Sequence, residues 1–152
     1  MTVYPDTSVL CALYREQDNS KRADRWIKAC AAPLPVSSLL LLEFRQSIRF
    51  QMRLFGKDRS KGFSKNEGAS MLELLRSDLA SGVLETVAPD WEEVHRTAED
   101  MSAKHTVAEG HRFADILHVA TAAVLGAAQF LTFDVNQQRL AAAEGMIVPN
   151  VN

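Results

Sequence analysis

Four acidic residues stand at places where their carboxylates could act as one group. Asp6 follows a short strand-like run at the start of the chain, and Asp134 ends the run "LTFD". Asp115 interrupts the apolar stretch "FADILHVATAAVLG", and Glu43 interrupts "SLLLLEFRQS" in the same way. Carboxylates crowded within a few ångströms repel one another and raise one another's pKa unless a cation neutralises them. The chemistry that such a group offers is therefore that of a cation site.

The residue types indicate which cation would bind. The acids offer oxygen ligands, and no cysteine or H-x-x-x-H pair accompanies them. Oxygen ligands favour Mg²⁺ or Mn²⁺ over Zn²⁺. Because Mg²⁺ binds through few carboxylates together with substrate phosphates, an open site of this kind suits phosphate-ester chemistry.

Each acid also has an ordinary structural interpretation. Asp6 and Asp134 could cap the helices that follow them, since Asp is a common N-cap residue. Asp115 is costly on a buried apolar helix unless it is paired. Arg112, three residues earlier, could be its ion-pair partner or could contact a phosphate. The sequence leaves these alternatives open.

Short β-like runs alternate with longer helical patterns, which predicts an α/β fold with a mainly parallel sheet. The carboxyl ends of parallel strands and the N-termini of helices gather along one edge, where ligand sites form. Four segments would each deliver one acid to that edge. The predicted strands are Thr2–Pro5, "PLPVSS", "VLETV", "QFLTF" and an edge-like "MIVP".

Helical patterns fill the intervals between these strands, and capping residues mark several of their starts. The predicted helices are a short one around Val9–Tyr14, one from a Ser20 cap through Cys30, one from Ser38 to about Phe55, one from a Ser64 cap to near Gly82, one from an Asp90 cap through Met101, one over "HRFADILHVATAAVLG" and one near Gln137–Ala143. Glu43 and Asp115 thus fall near the starts of two helices.

The composition indicates one compact domain over residues 1–152, since the chain is 47% hydrophobic. No apolar run approaches the roughly 18 residues of a membrane span, and the N-terminus lacks a signal-peptide pattern. We expect a cytoplasmic protein without membrane contact. Cys11 and Cys30 lack metal-ligand spacing, so buried free thiols are expected.

The four acidic segments resemble the motifs of the PIN-domain nucleases, particularly the VapC-type toxins of bacterial toxin–antitoxin pairs. "YPDTSVL" resembles the opening D-T-S motif, and "VSSLLLLEFRQSIR" resembles the second motif. "HRFADILHVATA" resembles the R-x-x-D helix, and "LTFDVNQQRLA" resembles the last acidic motif. The match runs in order over roughly residues 3 to 149. Pro5 departs from the pattern, because an apolar strand residue is commoner there.

The resemblance implies a three-layer α/β/α sandwich, a homodimer and metal-dependent endoribonuclease activity on RNA. It also implies a cognate antitoxin as partner and products that end in 5′-phosphate and 3′-hydroxyl. The residues that it assigns are the metal-binding and catalytic acids Asp6, Glu43, Asp115 and Asp134, with Ser8, Thr132 and Arg112 in support. Ser8 and Thr132 could equally cap the following helices.

A basic stretch stands apart from this acidic set. Between Phe44 and Asn66 the charge is +6, although the whole chain carries −2. Arg45, Arg49 and Arg53 recur at i, i+4 and i+8, so they form a stripe on the long helix. The stripe could be a solvated face, an RNA contact or an antitoxin contact.

Two other interpretations compete with a metal nuclease. Aspartyl-phosphate hydrolases would need a second acid where Ser8 stands, which disfavours them. A catalytically silent binding module for RNA or a protein partner would keep the fold, but four buried acids are an expensive scaffold without catalytic use. His111 and His118 flank Asp115, and lone histidines on a helix are more often packing or surface residues than catalysts.

Overall fold

Short strands and longer helices alternate through the computed structural model, which describes residues 3–30 and 32–149. In chain order the elements are β1 Val3–Pro5, α1 Thr7–Tyr14, α2 Ser20–Ala29, β2 Leu34–Ser37, α3 Ser38–Lys57, α4 Lys65–Ser81, β3 Leu84–Val87, α5 Trp91–Met101, a π-helical turn Ser102–Thr106, α6 Val107–Glu109, α7 Phe113–Val124, β4 Gln129–Leu131 and α8 Val135–Ala143. Within these described ranges, no helix is both long and apolar enough to cross a membrane.

The elements belong to two compact units. One unit, here called the terminal unit, runs through Val9 and resumes at Val87. The other, the middle unit, is Leu10–Thr86. The single domain over residues 1–152 stays a prediction.

The terminal unit is built on a parallel strand pair. β1 runs beside β4, with Val3 opposite Gln129 and Pro5 opposite Leu131, so the carboxyl ends of both strands lie side by side. Helix α7 is buried over the whole stretch 115–122. A helix that is apolar nearly all round belongs in a core, because no face of it gains from contact with water. These features hold the segments that carry Asp6, Asp115 and Asp134.

The middle unit pairs β2 with β3 and packs α3 against α4. Phe44 and Ile48 of α3 and Leu75 of α4 are almost fully buried. The Tyr14 ring lies 5.7 Å from that of Phe44, and its hydroxyl donates to Asp78 at 2.6 Å. Burial, and then the Asp78 carboxylate, raise the pKa of Tyr14 far above its usual range. Tyr14 therefore stays a neutral donor within the unit.

Helix α3 begins at Ser38 as predicted, and the Ser64 and Asp90 caps are confirmed. The N-cap positions of α2 and α3 lie one residue before Ser20 and Ser38. The N-cap of α3 is Ser37, because the extended backbone at the end of β2 lets its hydroxyl accept an N–H of the first helical turn at 3.2 Å. Ser38 is already helical. Ser20 is also helical and buried, and its hydroxyl donates to a carbonyl of α1 at 2.7 Å instead of capping α2.

Three further predictions differ from the structure. The predicted strand "MIVP" is reduced to one parallel bridge between Ile147 and Gln129, and Pro149 has no N–H to extend it. The π-helical turn at Ser102–Thr106 and α6 carried no predicted element. Cys11 and Cys30 are free as predicted but only partly buried. Thr2 of the first predicted strand lies outside the described residues.

Candidate active site

Asp6 is almost completely enclosed, with 1% of its surface exposed. It follows Pro5, the last residue of β1, and its backbone N–H donates to the Leu131 carbonyl of β4 at 2.9 Å. Two donors reach Oδ1 and two reach Oδ2. They are the Ser8 hydroxyl at 2.5 Å and the Val9 N–H at 3.2 Å, and the Thr132 hydroxyl at 2.5 Å and the Gln137 amide at 3.0 Å. Helix capping through Val9 is thus one part of a larger set of bonds.

The electrostatics of Asp6 are set by its burial. Loss of water raises the pKa of Asp6 from its ordinary 3.8 to about 6. The bonds from Ser8, Thr132 and Val9 and the charge of His118 lower the pKa, but burial outweighs them. A cation placed beside this carboxylate would favour its ionised form.

Ser8 and Thr132 connect Asp6 to the segment that follows β4. The Ser8 hydroxyl donates to Asp6 and accepts the Phe133 N–H at 3.0 Å. The Thr132 hydroxyl donates to the other Asp6 oxygen and accepts the Asp134 N–H at 2.9 Å. Each hydroxyl therefore orients the carboxylate.

Arg112 joins the other two acids of the terminal unit. Its Nε lies 3.2 Å from Asp115 Oδ2, and its Nη2 lies 3.6 Å from Asp134 Oδ2. The Arg112 side chain is 75% exposed, whereas that of Asp115 is 9% exposed. Asp134 also caps α8, because its Oδ1 accepts the Gln137 N–H at 3.0 Å. We call Asp6, Thr132, Asp134, Arg112 and Asp115 together the acid network.

Glu43 and the basic stripe belong to the middle unit. Glu43 lies in the second turn of α3, partly buried, and its role stays a prediction. Along the same helix Arg49 and Arg53 are exposed and Arg45 is partly buried. The exposed arginines leave all three interpretations of the stripe open.

Gln137 was not among the predicted site residues. With Asp134 it has the spacing of a capping box, in which its amide would bond the Asp134 N–H. The Thr132 hydroxyl accepts that N–H, and the Gln137 Nε2 donates to Asp6. The spacing signalled a residue near Asp134, but only the fold places it on Asp6. Its Oε1 is buried and has no hydrogen-bond partner among the described residues.

The two histidines near Asp115 differ in their surroundings. His118 is fully buried on α7, and its charge acts on Asp6. His111 precedes α7, and its Nε2 lies 2.9 Å from Glu109 Oε2. The full burial of His118 agrees with the packing role that the sequence favoured, and the residue also belongs to the electrostatic environment of Asp6.

The donor set of the acid network suits a hard divalent cation. Asp115 and Asp134 each turn one oxygen toward the positive guanidinium of Arg112, and carboxylate oxygens are the ligands that Mg²⁺ and Mn²⁺ prefer. No three His, Cys, Asp or Glu side chains of the described residues are already gathered as a metal site. The Arg112 guanidinium therefore places a positive charge beside both Asp115 and Asp134, and its side chain is largely exposed.

Comparisons with known proteins agree with the motifs. The family model described as PIN domain matches residues 3–143. A search of curated protein sequences finds no significant match. Solved structures, in contrast, match over nearly the whole chain.

Three of these structures illustrate the likeness. VapC20 of Mycobacterium tuberculosis, a sarcin-ricin loop cleaving toxin, is 17% identical with a TM-score of 0.65, covering 96% of this chain and 97% of that chain. FitAcB of Neisseria gonorrhoeae is 16% identical with a TM-score of 0.66, covering 98% and 97%. VapBC2 of Rickettsia felis, bound to a promoter DNA fragment, is 14% identical with a TM-score of 0.67, covering 100% of both. The predicted α/β/α fold class is confirmed.

Proposed function

Because this chain belongs to the PIN domain family, we propose that it is a metal-dependent endoribonuclease that hydrolyses RNA phosphodiester bonds. The observation that carries the proposal is the acid network at the carboxyl ends of β1 and β4. The network combines the buried carboxylates of Asp6 and Asp115, the partly exposed carboxylate of Asp134 and the exposed guanidinium of Arg112. Such a combination suits a polyanionic substrate that arrives together with a cation.

The residues proposed to hold Mg²⁺ or Mn²⁺ are Asp6, Asp115 and Asp134, with Glu43 as the fourth acid that the family pattern assigns. The bound ion would lower the pKa of a water molecule and stabilise charge on the phosphate. Ser8 and Thr132 hold the Asp6 carboxylate in one orientation. The ligand oxygens therefore need little rearrangement when the ion binds.

Arg112 has a role in substrate binding under this proposal. It is exposed and bonded to two acids that a cation would neutralise, so its guanidinium is released to contact a phosphate of the RNA. Hydrolysis would then join a water oxygen to phosphorus and break the bond from phosphorus to the 3′ oxygen. That oxygen takes up a proton, which leaves 5′-phosphate and 3′-hydroxyl ends.

We further propose that the protein is a toxin that acts as a homodimer with a cognate antitoxin. The structures described as the toxin VapC20 and the complex VapBC2 support this proposal by their shared fold. Light scattering should give a mass twice the 16.8 kDa of one chain. Addition of the antitoxin should suppress cleavage of RNA.

The test is cleavage of a panel of labelled structured RNAs in Mg²⁺ or Mn²⁺. Wild type should cleave, and both EDTA and the Asp6→Asn variant should abolish cleavage. Asp100→Asn makes the same chemical change on the exposed face of α5 and serves as the matched control. Equal activity of wild type and Asp6→Asn, or cleavage that persists in EDTA, would refute the proposal.

A second candidate is a catalytically silent module that binds RNA or a protein partner. Two observations favour this candidate and weaken the nuclease proposal. Among the described residues no three potential metal ligands are gathered, and Arg112 bridges Asp115 and Asp134. Such a module would bind RNA in anisotropy measurements with Mg²⁺ present and leave it intact. Cleavage of RNA by wild type but not by Asp6→Asn would exclude this silent module.

A further inference from the structure

The nitrogen and the oxygen of the buried Gln137 amide differ in their hydrogen bonding. Its Nε2 donates to Asp6 Oδ2 at 3.0 Å, whereas its Oε1 has no hydrogen-bond partner among the described residues. The residue is only 6% exposed, so bulk water is kept from that oxygen. A buried carbonyl oxygen without a donor costs free energy, and it therefore calls for a ligand.

Without a cation beside Asp6, rotation of the Gln137 amide by a half-turn would not give it better hydrogen bonds. A half-turn of the terminal torsion would exchange Nε2 and Oε1 and place the oxygen against the Asp6 carboxylate, where two negative oxygens repel. A cation on Asp6 reverses that preference, because both oxygens would then face positive charge. Amide carbonyls, like carboxylates, are suitable ligands for Mg²⁺ and Mn²⁺.

The backbone of Gln137 is also anchored. Its N–H donates to Asp134 Oδ1 at 3.0 Å, so the residue is bonded to Asp134 through its backbone and to Asp6 through its side chain. Both partners are proposed metal ligands. The amide oxygen is therefore confined to the neighbourhood of the proposed ion.

We propose that Gln137 is an additional, neutral oxygen ligand of the divalent cation: its amide donates to Asp6 in the metal-free protein and turns its oxygen to the ion when one binds. The inference rests on the proposed function, because it assumes that Asp6 holds a cation. The rival is that Gln137 is only a structural donor that orients Asp6. The two roles differ in whether the Gln137 oxygen contacts the bound ion.

The experiment measures Mn²⁺ binding to the full chain by the EPR signal of free Mn²⁺, with no RNA present. Gln137→Leu removes the donor and the oxygen together, and it should weaken Mn²⁺ binding by roughly tenfold or more. Gln138→Leu is the matched control on the same helix, since Gln138 donates to the Thr132 carbonyl at 3.1 Å; its affinity should equal that of wild type. Mn²⁺ affinity equal to or above that of wild type would overturn the inference.

Loss of an orienting donor would also weaken binding, so electron–nuclear double resonance of Mn²⁺ on protein that carries ¹³C-labelled glutamine separates the two roles. A ligand oxygen should give a ¹³C coupling to the ion that Gln137→Leu lacks, and its absence from wild type would overturn the inference.

Gln137→Glu is a second variant, and it tests the inference even if Gln137→Leu does not fold. A second carboxylate beside Asp6 should lower the melting temperature of the metal-free protein, while added Mn²⁺ should raise that temperature by more than in wild type. An equal or smaller increase would contradict a ligand role.

Failure of this inference differs from failure of the proposed function. Wild type that cleaves RNA while Gln137→Leu binds Mn²⁺ normally refutes the ligand role alone. Wild type that binds Mn²⁺ through Gln137 without cleaving RNA refutes the nuclease alone. Wild type that binds no Mn²⁺ refutes both.

Discussion

At the scale of single residues, the acid network places carboxylates with different surroundings next to one another. Asp6 is enclosed and bonded by four donors, whereas Asp134 and Asp115 share the exposed guanidinium of Arg112. The Asp6 carboxylate is therefore sensitive to protonation, and the two carboxylates that share Arg112 are sensitive to competing cations. Each property can be measured with one substitution.

The first residue-scale prediction concerns pH. Burial raises the pKa of Asp6 to about 6 from 3.8, so its neutral form stabilises the fold below pH 3.8 and this stability is lost as pH rises through 6. The loss is about 2 to 3 kcal/mol, at roughly 1.4 kcal/mol for each pKa unit. Urea unfolding in EDTA should show Asp6→Asn gaining stability relative to wild type by about that amount between pH 4 and pH 7. A flat or falling difference would contradict the assigned pKa.

The second residue-scale prediction concerns Arg112. Arg112 is exposed but Asp115 is buried, so Arg112→Gln, which removes the charge and keeps a hydrogen-bond donor, should lower the free energy of unfolding by up to about 2 kcal/mol. If Arg112 contacts a substrate phosphate, kcat/KM for RNA cleavage should still fall by roughly tenfold or more, since a charge-assisted bond is lost. Unchanged cleavage, or a large loss of stability, would instead make Arg112 a structural partner of Asp115.

At the scale of elements, parallel pairing of β1 with β4 puts Asp6 and the segment that leads to Asp134 at one edge. In the middle unit, the chain after α3 turns back and lies very close to the backbone of that helix. Gly62 has φ +62, and a Cβ there would lie 2.1 Å from the Gln51 carbonyl oxygen of α3. Only glycine fits this close approach to a backbone that cannot move aside.

The element-scale prediction compares two glycines. Gly62→Ala should lower the free energy of unfolding by about 2 kcal/mol or more, because backbone strain and a backbone clash combine. Gly56→Ala lies near the end of α3, where a Cβ would meet no described heavy atom within 4 Å, and it should stabilise the protein by up to about 1 kcal/mol. Urea unfolding of both variants checks the two signs. Similar effects at both positions would mean that the turn does not constrain α3.

At the scale of the whole molecule, charge is unevenly distributed along the chain. Residues 44–66 carry +6 although the net charge is −2. Exposure of Arg49 and Arg53 makes the stripe accessible to a polyanion, to an acidic protein or to solvent. Only the polyanion would give a salt-dependent affinity for RNA through this helix.

The whole-molecule prediction uses that salt dependence. If the stripe contacts RNA, changing Arg45, Arg49 and Arg53 to Gln should reduce the slope of log affinity against log salt by about 2 for single-stranded RNA. The control replaces Lys21, Arg25 and Lys28 of α2 with Gln, which removes the same charge elsewhere. Binding is measured by anisotropy in the Asp6→Asn background, so that RNA stays intact. Equal slopes for both triple variants would assign the stripe to solvent or to a protein partner.

The sequence by itself determined the fold class, the order of the elements and the placement of Asp6, Asp115 and Asp134 at strand ends and a helix start. Hydrophobic periodicity, capping residues and turn residues encode such local structure over a few residues. The N-cap positions Asn19 and Ser37 each lie one residue before the serine that the sequence indicated. At Ser37 the extended backbone lets the hydroxyl accept the Leu40 N–H, whereas Ser20 instead donates to a carbonyl of α1.

Only the tertiary structure decided the contacts that give the site its chemistry. Thr132 and Gln137 meet Asp6 across separations of 126 and 131 residues, and Arg112 meets Asp134 as well as the nearby Asp115. No local pattern specifies such contacts, because they depend on which strands pair and in which register. In the same structure the Thr132 hydroxyl accepts the Asp134 N–H, and the Gln137 amide donates to Asp6.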